Sequence, residues 1–208
     1  MTKLQVAIDL LKTEDAIALA TKVAPYIDII ELGTPLIKSE GLSAITAMKE
    51  AFPDKKVFAD FKTADTGSLE AEMAFKAGAD YVTILGSIDD ATIIGAVEAA
   101  KKYDRAVVVD TIGVKDRVKR AQEVSKLGVE FVELHAGLDE QSKPGYSIDV
   151  LIDEASKAGV PVSIAGGVNK NSIAKVKSSG AVVAVAGGAI YGAEDPAAAA
   201  KELKEALS

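Results

Sequence analysis

The stretch Val57-Phe58-Ala59-Asp60-Phe61-Lys62-Thr63-Ala64-Asp65 ends an apolar run in an alternating acid and base. Residues 56–61 read as a buried β-strand. Asp60 and Lys62, two apart, are expected on one face of that strand, with Asp65 just beyond in the following loop. Two or three fixed charges then meet in one small volume at a strand's carboxyl end. Taken alone, the spacing suits a surface salt bridge as well as a catalytic site, and the fold around it has to decide.

Outward from that stretch, short apolar runs recur at 4–8, 27–32, 56–61, 81–85, 106–109, 130–134, 161–165 and 182–186, each read as a strand buried on both faces. Between and after them lie segments of helical spacing at 13–24, 42–52, 68–77, 91–103, 117–127, 150–157, 173–178 and 196–207. Strand then helix, eight times over, is the pattern of an α/β protein of the (β/α)8, or TIM, barrel class, expected as one domain over residues 1–208. The chain of 208 residues lies at the short end for that architecture. Gly78, Gly128, Gly159 and Gly180 each stand just past a helical segment and ahead of a strand, the C-cap position. Those turns mark the structural end of the barrel, so function is expected at the opposite, carboxyl ends of the strands.

Composition removes several function classes. With 49% hydrophobic and 26% charged residues the chain is an ordinary globular one. The net charge of −7 is spread over helix faces and argues against nucleic acid as a partner. There is no cysteine, so disulfides, thiolate metal sites and cysteine nucleophiles are excluded. Neither a signal segment nor a membrane-length apolar run is present, which leads to the expectation of a soluble, cytoplasmic protein with no membrane partner.

The expected strand ends carry Asp9, Glu31, Asp60 with Lys62, Asp110, His135, Gly166-Gly167 and Gly187-Gly188. Each has an ordinary structural reading. Asp9 could cap the first helix, Glu31 could be a partly solvated strand end, and Asp110 could pair with a lysine. As one ring on one face they point to a site. The two glycine pairs end the seventh and eighth strands, where this fold commonly binds phosphate through backbone N–H groups; two tight turns with positive φ are the alternative. Glu31 and Asp60 offer hard oxygens suited to Mg²⁺, although Lys62 could neutralise one of them. His135, the only histidine, is the natural proton shuttle near neutral pH.

The Asp60-x-Lys62-x-x-Asp65 signature and its position after the third strand resemble the orotidine 5′-monophosphate decarboxylase suprafamily, along essentially the whole chain. Glu31, in Ile29-Ile30-Glu31-Leu32-Gly33-Thr34-Pro35, stands where the orotidine decarboxylases carry a lysine. It points to the metal-dependent branch, which works through an enediolate of a phosphorylated ketose. The decarboxylases of that branch carry arginines after the histidine and after the glycine of the eighth strand. This chain reads His135-Ala136-Gly137-Leu138-Asp139-Glu140-Gln141 at the first place and has Gly188 at the second.

The resemblance therefore implies an aldolase-type lyase that adds formaldehyde to D-ribulose 5-phosphate, with Mg²⁺, or Mn²⁺ in its place, held by Glu31 and Asp60. It implies that Lys62 stabilises developing negative charge and that His135 moves a proton at C1 or at the new alkoxide. Asp9 and Asp110 would hold sugar hydroxyls or orient Lys62, and Gly166, Gly167, Gly187 and Gly188 would anchor the phosphate. Asp65 is delivered to a neighbouring subunit's site in the suprafamily, implying a homodimer with shared active sites. The rivals are decarboxylation of 3-keto-L-gulonate 6-phosphate and a noncatalytic phosphosugar-binding barrel.

Overall fold

Each apolar run becomes a strand that pairs in parallel with its neighbours in sequence, and the eighth returns to the first. The closed barrel consists of β1 (Lys3–Ile8), β2 (Ile29–Leu32), β3 (Lys56–Thr63), β4 (Tyr81–Leu85), β5 (Ala106–Asp110), β6 (Phe131–His135), β7 (Val162–Ala165) and β8 (Val183–Ala186). The structure is a computed structural model and describes residues 2–208. The helices are α1 (Thr13–Val23), α2 (Thr34–Glu40), α3 (Ser43–Ala51), α4 (Gly67–Lys76), α5 (Asp90–Tyr103), α6 (Arg117–Val124), α7 (Leu138–Gln141), α8 (Asp149–Ala158), α9 (Ile173–Ser178), α10 (Gly188–Tyr191) and α11 (Pro196–Leu207). Among the described residues, no helix is long and apolar enough to cross a membrane.

Strand alternation splits the core in two. Outward-facing residues such as Leu4, Val6, Ile30, Val57, Val82 and Val109 pack under the helices. Burying each such side chain stabilises the fold by roughly 1.5–3 kcal/mol. Inward-facing Ile29, Phe58, Tyr81, Val108, Phe131 and Val183 fill the barrel itself, with Tyr81 tilted against Phe58 and Phe131 at ring-centroid distances of 6.0 Å. One pleat step toward the carboxyl end, five of these six inward positions turn polar: Glu31, Asp60, Thr83, Asp110 and Glu133 follow at i+2, and all are buried, while Val183 is followed by Val185.

The expected elements form, with shifted ends and three additions. Gly128 and Gly159 adopt the left-handed conformation after their helices, with φ of 93° and 66°, as their C-cap positions require. Residues 125–127 tighten into a 3₁₀ turn rather than extending α6. The short helices α2, α7 and α10 follow β2, β6 and β8 and were not anticipated, because each lies in the loop directly after a strand end, in a stretch read for site residues. The strand β3 runs to Thr63, two residues beyond its expected end, through a register shift between Ala59 and Thr63. Lys62 sits in that bulge at φ 49°, a left-handed conformation for a residue with a side chain.

Candidate active site

A cavity of about 1090 Å³ opens at the carboxyl ends of the strands. Asp9, Glu31, Asp60, Lys62, His135, Gly166, Gly167, Gly187 and Gly188 all line it. Asp110 lies beneath them, fully buried, and touches two of the lining residues. Asp65 is exposed and outside the lining, with its Oδ1 accepting from the Thr66 N–H at 2.7 Å. The ring read from the strand ends is therefore assembled within one chain, apart from Asp65.

Asp60 and Lys62 meet, but through the bulge rather than through a regular pleat. Lys62 Nζ donates to Asp60 Oδ2 at 2.6 Å and lies 3.2 Å from Asp110 Oδ2. Burial alone would lower the Lys62 pKa; the carboxylates of Asp60 and Asp110 outweigh it, so the ammonium is held protonated above its ordinary range. Thr34 at the start of α2 donates to Asp60 Oδ2 at 2.8 Å, and Thr83 on β4 donates to Oδ1 at 2.8 Å.

Asp110 accepts from the Ile112 N–H through Oδ1 at 2.7 Å and contacts His135 Nδ1 through Oδ2 at 2.9 Å. Burial would raise its pKa, yet the bond to His135 and the charges of His135 and Lys62 lower it on balance, so Asp110 is a carboxylate. An ionised acceptor on Nδ1 selects the tautomer with the proton there and leaves Nε2 as the basic nitrogen of the neutral ring. A continuous chain results, Asp60–Lys62–Asp110–His135, spanning β3, β5 and β6.

The remaining acids are less committed. Glu31 is buried rather than partly solvated, and its Oε2 accepts from Gln5 Nε2 at 2.6 Å. Burial first, and then the Asp60 charge, raise its pKa to about 8, against the opposing Gln5 bond and Lys62 charge. Asp9 is raised by burial and by Asp60; it does not cap α1, where Lys12 occupies the N-cap. Glu133 is raised well above its ordinary value by burial and by the charges of Asp110 and Glu31.

Five carboxyl groups thus face one permanent cation, an excess that a bound cation would relieve. Among the described residues, the tightest set of ligand atoms belongs to Asp110, Glu133 and His135, within 4.8 Å of one another. Asp110 there, like Asp60, is already engaged through both oxygens, and His135 turns Nδ1 to Asp110. Glu31 is the freer donor. Beside it Gln5 Oε1 is the one buried side-chain N or O atom without a hydrogen-bond partner among the described residues. Hard oxygens with spare lone pairs suit a divalent ion of the Mg²⁺ type.

The two glycine turns differ. Gly166 has φ 118°, and a Cβ there would lie 2.5 Å from the Ala136 carbonyl oxygen, so the fold itself requires glycine. Tyr146 braces this turn by donating to the Gly166 carbonyl at 2.7 Å. Gly187 has φ −103°, and Gly188 is not in the left-handed region, so this pair is not the positive-φ turn that the alternative reading supposed. A Cβ at Gly187 or Gly188 would meet nothing closer than 3.4 Å. Both glycines line the cavity, and a phosphate subsite needs such a backbone, uncovered by Cβ atoms.

Glu133, Gln5, Thr34 and Thr83 were missed as site residues. Glu133 and Gln5 had a usable signal: each is a polar residue inside an otherwise apolar strand, and Glu133 is two before His135 and so on the same face. Thr83 had none, because a threonine in a strand is the expected β-branched residue.

A (β/α)8 barrel with a lysine–carboxylate–histidine network at its strand ends is an enzyme scaffold. The chain belongs to the orotidine 5′-phosphate decarboxylase / HUMPS family, whose family model matches residues 2–203. The 3-hexulose-6-phosphate synthase of Mycobacterium gastri is 65% identical over 206 residues, covering 99% of this chain and 100% of the relative. A crystal structure of a 3-hexulose-6-phosphate synthase matches with a TM-score of 0.98 at 65% identity and covers 100% of both chains. The 3-hexulose-6-phosphate synthase from Salmonella typhimurium matches with a TM-score of 0.93 at 38% identity, over 99% of this chain and 98% of that one. The resemblance read from the signature and the barrel read from the alternation are both borne out.

Proposed function

We propose that this protein catalyses the addition of formaldehyde to D-ribulose 5-phosphate, yielding D-arabino-hex-3-ulose 6-phosphate, with Mg²⁺ as cofactor and Mn²⁺ as a substitute. The observation that carries the proposal is the Asp60–Lys62–Asp110–His135 chain beside a freer Glu31, in a barrel 65% identical to a 3-hexulose-6-phosphate synthase. A noncatalytic phosphosugar-binding barrel would have no use for that chain.

The amides of Gly187 and Gly188, with the Gly166–Gly167 turn, hold the phosphate and fix the reactive end of the sugar near His135 and Lys62. The C1–H bond breaks and its electron pair enters an enediolate over C1 and C2. C1 then bonds to the formaldehyde carbon as the C2 carbonyl re-forms, and the formaldehyde oxygen takes up a proton. His135 Nε2 accepts the first proton or supplies the second, with Asp110 holding the ring and stabilising its charged form. Lys62, kept protonated by Asp60 and Asp110, offsets the negative charge that develops on the sugar oxygens. Asp9 accepts from a sugar hydroxyl. Glu31 and Asp60 are the residues that would hold the metal. When bound, it supplies Lewis-acid stabilisation of that same negative charge.

A homodimer with shared sites belongs to the same reading. Asp65 is exposed just before α4, on which Leu69 and Met73 are 60% and 40% exposed; α5 packs on α4, and its Ile94 is 41% exposed. Exposed apolar side chains on the helix that follows an unused site aspartate suit a second copy of the chain.

The test is formaldehyde loss in the presence of ribulose 5-phosphate, with Mg²⁺ and then with EDTA. Consumption that EDTA abolishes and Mg²⁺ restores is expected. Folded protein that consumes none, or that instead releases CO₂ from 3-keto-L-gulonate 6-phosphate, would overturn the proposal.

A further inference from the structure

We infer that Thr83 is a positioning residue for the Asp60–Lys62 pair, an inference that rests on the reaction proposed above. Ala59 pairs with Val82 and Thr63 with Ile84, so three residues of β3, Asp60, Phe61 and Lys62, stand against Thr83 alone. In a regular strand Lys62 would lie about 6.6 Å beyond Asp60 along the chain, at about 3.3 Å per residue. The bulge and the left-handed backbone at Lys62, φ 49°, turn the lysine so that its ammonium reaches both Asp60 and Asp110.

Thr83 is what the bulge closes on. Its Oγ1 accepts from the Lys62 N–H at 2.9 Å, in place of a ladder carbonyl, and donates to Asp60 Oδ1 at 2.8 Å. A hydroxyl has one proton, so donating to the carboxylate while accepting from the amide fixes both directions at once. One buried side chain thereby sets the Lys62 backbone and the Asp60 carboxylate plane, leaving Oδ2 for Lys62 Nζ and Thr34. Thr83 is not among the residues lining the cavity and acts only through the two that are.

Thr83→Val keeps the shape and the branching at Cβ and removes only the hydroxyl; Thr83→Ser keeps the hydroxyl. Two readouts are taken: kcat and KM for ribulose 5-phosphate, and hydrogen exchange of the Lys62 amide followed by NMR. Thr83→Val is expected to fold with the parent's circular dichroism spectrum, to lose protection at the Lys62 amide, and to drop in kcat by about 10²-fold with KM changed far less. Thr83→Ser is expected to restore the protection and most of kcat. Undiminished kcat in Thr83→Val, an unchanged Lys62 amide, or no rescue by serine would each overturn the inference. Should Thr83→Val not fold, Thr83→Ala is read by the same criteria. If the parent itself does not consume formaldehyde, the proposed reaction fails, while the amide exchange still decides whether Thr83 holds the bulge.

Discussion

Glu31 is a carboxyl that burial and the Asp60 charge keep protonated up to about pH 8, against an ordinary value of 4.5. Between those values the folded chain binds a proton that the unfolded chain has released, so the Glu31 contribution to stability falls as pH rises from about 4.5 through about 8. Glu133, raised by burial and by Asp110 and Glu31, acts in the same sense, and Asp110, lowered by His135 and Lys62, acts in the opposite one. In EDTA, Glu31→Gln is therefore expected to raise the melting temperature at pH 8.5 more than at pH 6; an equal effect at both would show that Glu31 is not the titrating group. If Glu31 holds Mg²⁺ as proposed, the ion needs the carboxylate and should raise the parent's melting temperature more at pH 8.5 than at pH 6. His135→Asn removes the nitrogen proposed to move the proton and should lower kcat by roughly 10²–10⁴-fold with a much smaller change in KM, measured on ribulose 5-phosphate. Undiminished turnover would remove His135 from the reaction. Glu31, Lys62 and His135 were legible because, although each alone has an ordinary structural reading, together they end strands on one face of the barrel. Thr83 was not, because the same residue would stand there if it only filled a strand.

At the scale of elements, the two glycine turns call for opposite outcomes from one substitution. Gly166→Ala forces a Cβ to 2.5 Å from the Ala136 carbonyl oxygen at φ 118°, so it should destabilise by more than the roughly 1 kcal/mol usual for a positive-φ glycine. Gly187→Ala meets no protein atom closer than 3.4 Å at φ −103° and should leave the melting temperature near the parent's. If the β8 turn holds the phosphate, Gly187→Ala should nevertheless raise KM for ribulose 5-phosphate by about 10-fold or more, through loss of amide contacts. Thermal melts and KM on the two variants separate a turn that glycine builds from a turn that glycine keeps open. The sequence showed both pairs as identical Gly-Gly, because the difference lies in what each Cβ would touch across the barrel. The bulge in β3 was hidden for a similar reason: Asp60 and Lys62 have the spacing of a regular strand, and the register shift exists only against Val82 and Ile84 of β4.

For the whole molecule, the barrel was legible because eight runs of β-branched residues alternate with helical spacing, and parallel pairing of consecutive strands leaves closure as the way to remove both edges. Whether a second copy of the chain docks was not legible from periodicity, because an apolar residue on an exposed helix face looks the same whether or not another chain covers it. The exposed Leu69 and Met73 on the helix that follows Asp65, with Ile94 on α5, turn that question into an experiment. Leu69→Glu with Met73→Glu should shift sedimentation equilibrium toward the monomer and abolish turnover with the fold intact. Complementation is the sharper test. Lys62→Ala damages the barrel that carries it, whereas Asp65→Ala, if its carboxylate serves the partner, damages the other barrel. In a mixed dimer the barrel of the Asp65→Ala chain keeps Lys62 and receives Asp65 from its partner, so one site is whole and the other doubly defective. Random exchange makes about half the dimers mixed and about a quarter of all sites intact, so two inactive variants should recover up to about a quarter of the parent's activity on mixing. If Asp65 serves its own barrel, every site in every dimer carries a lesion and mixing recovers nothing.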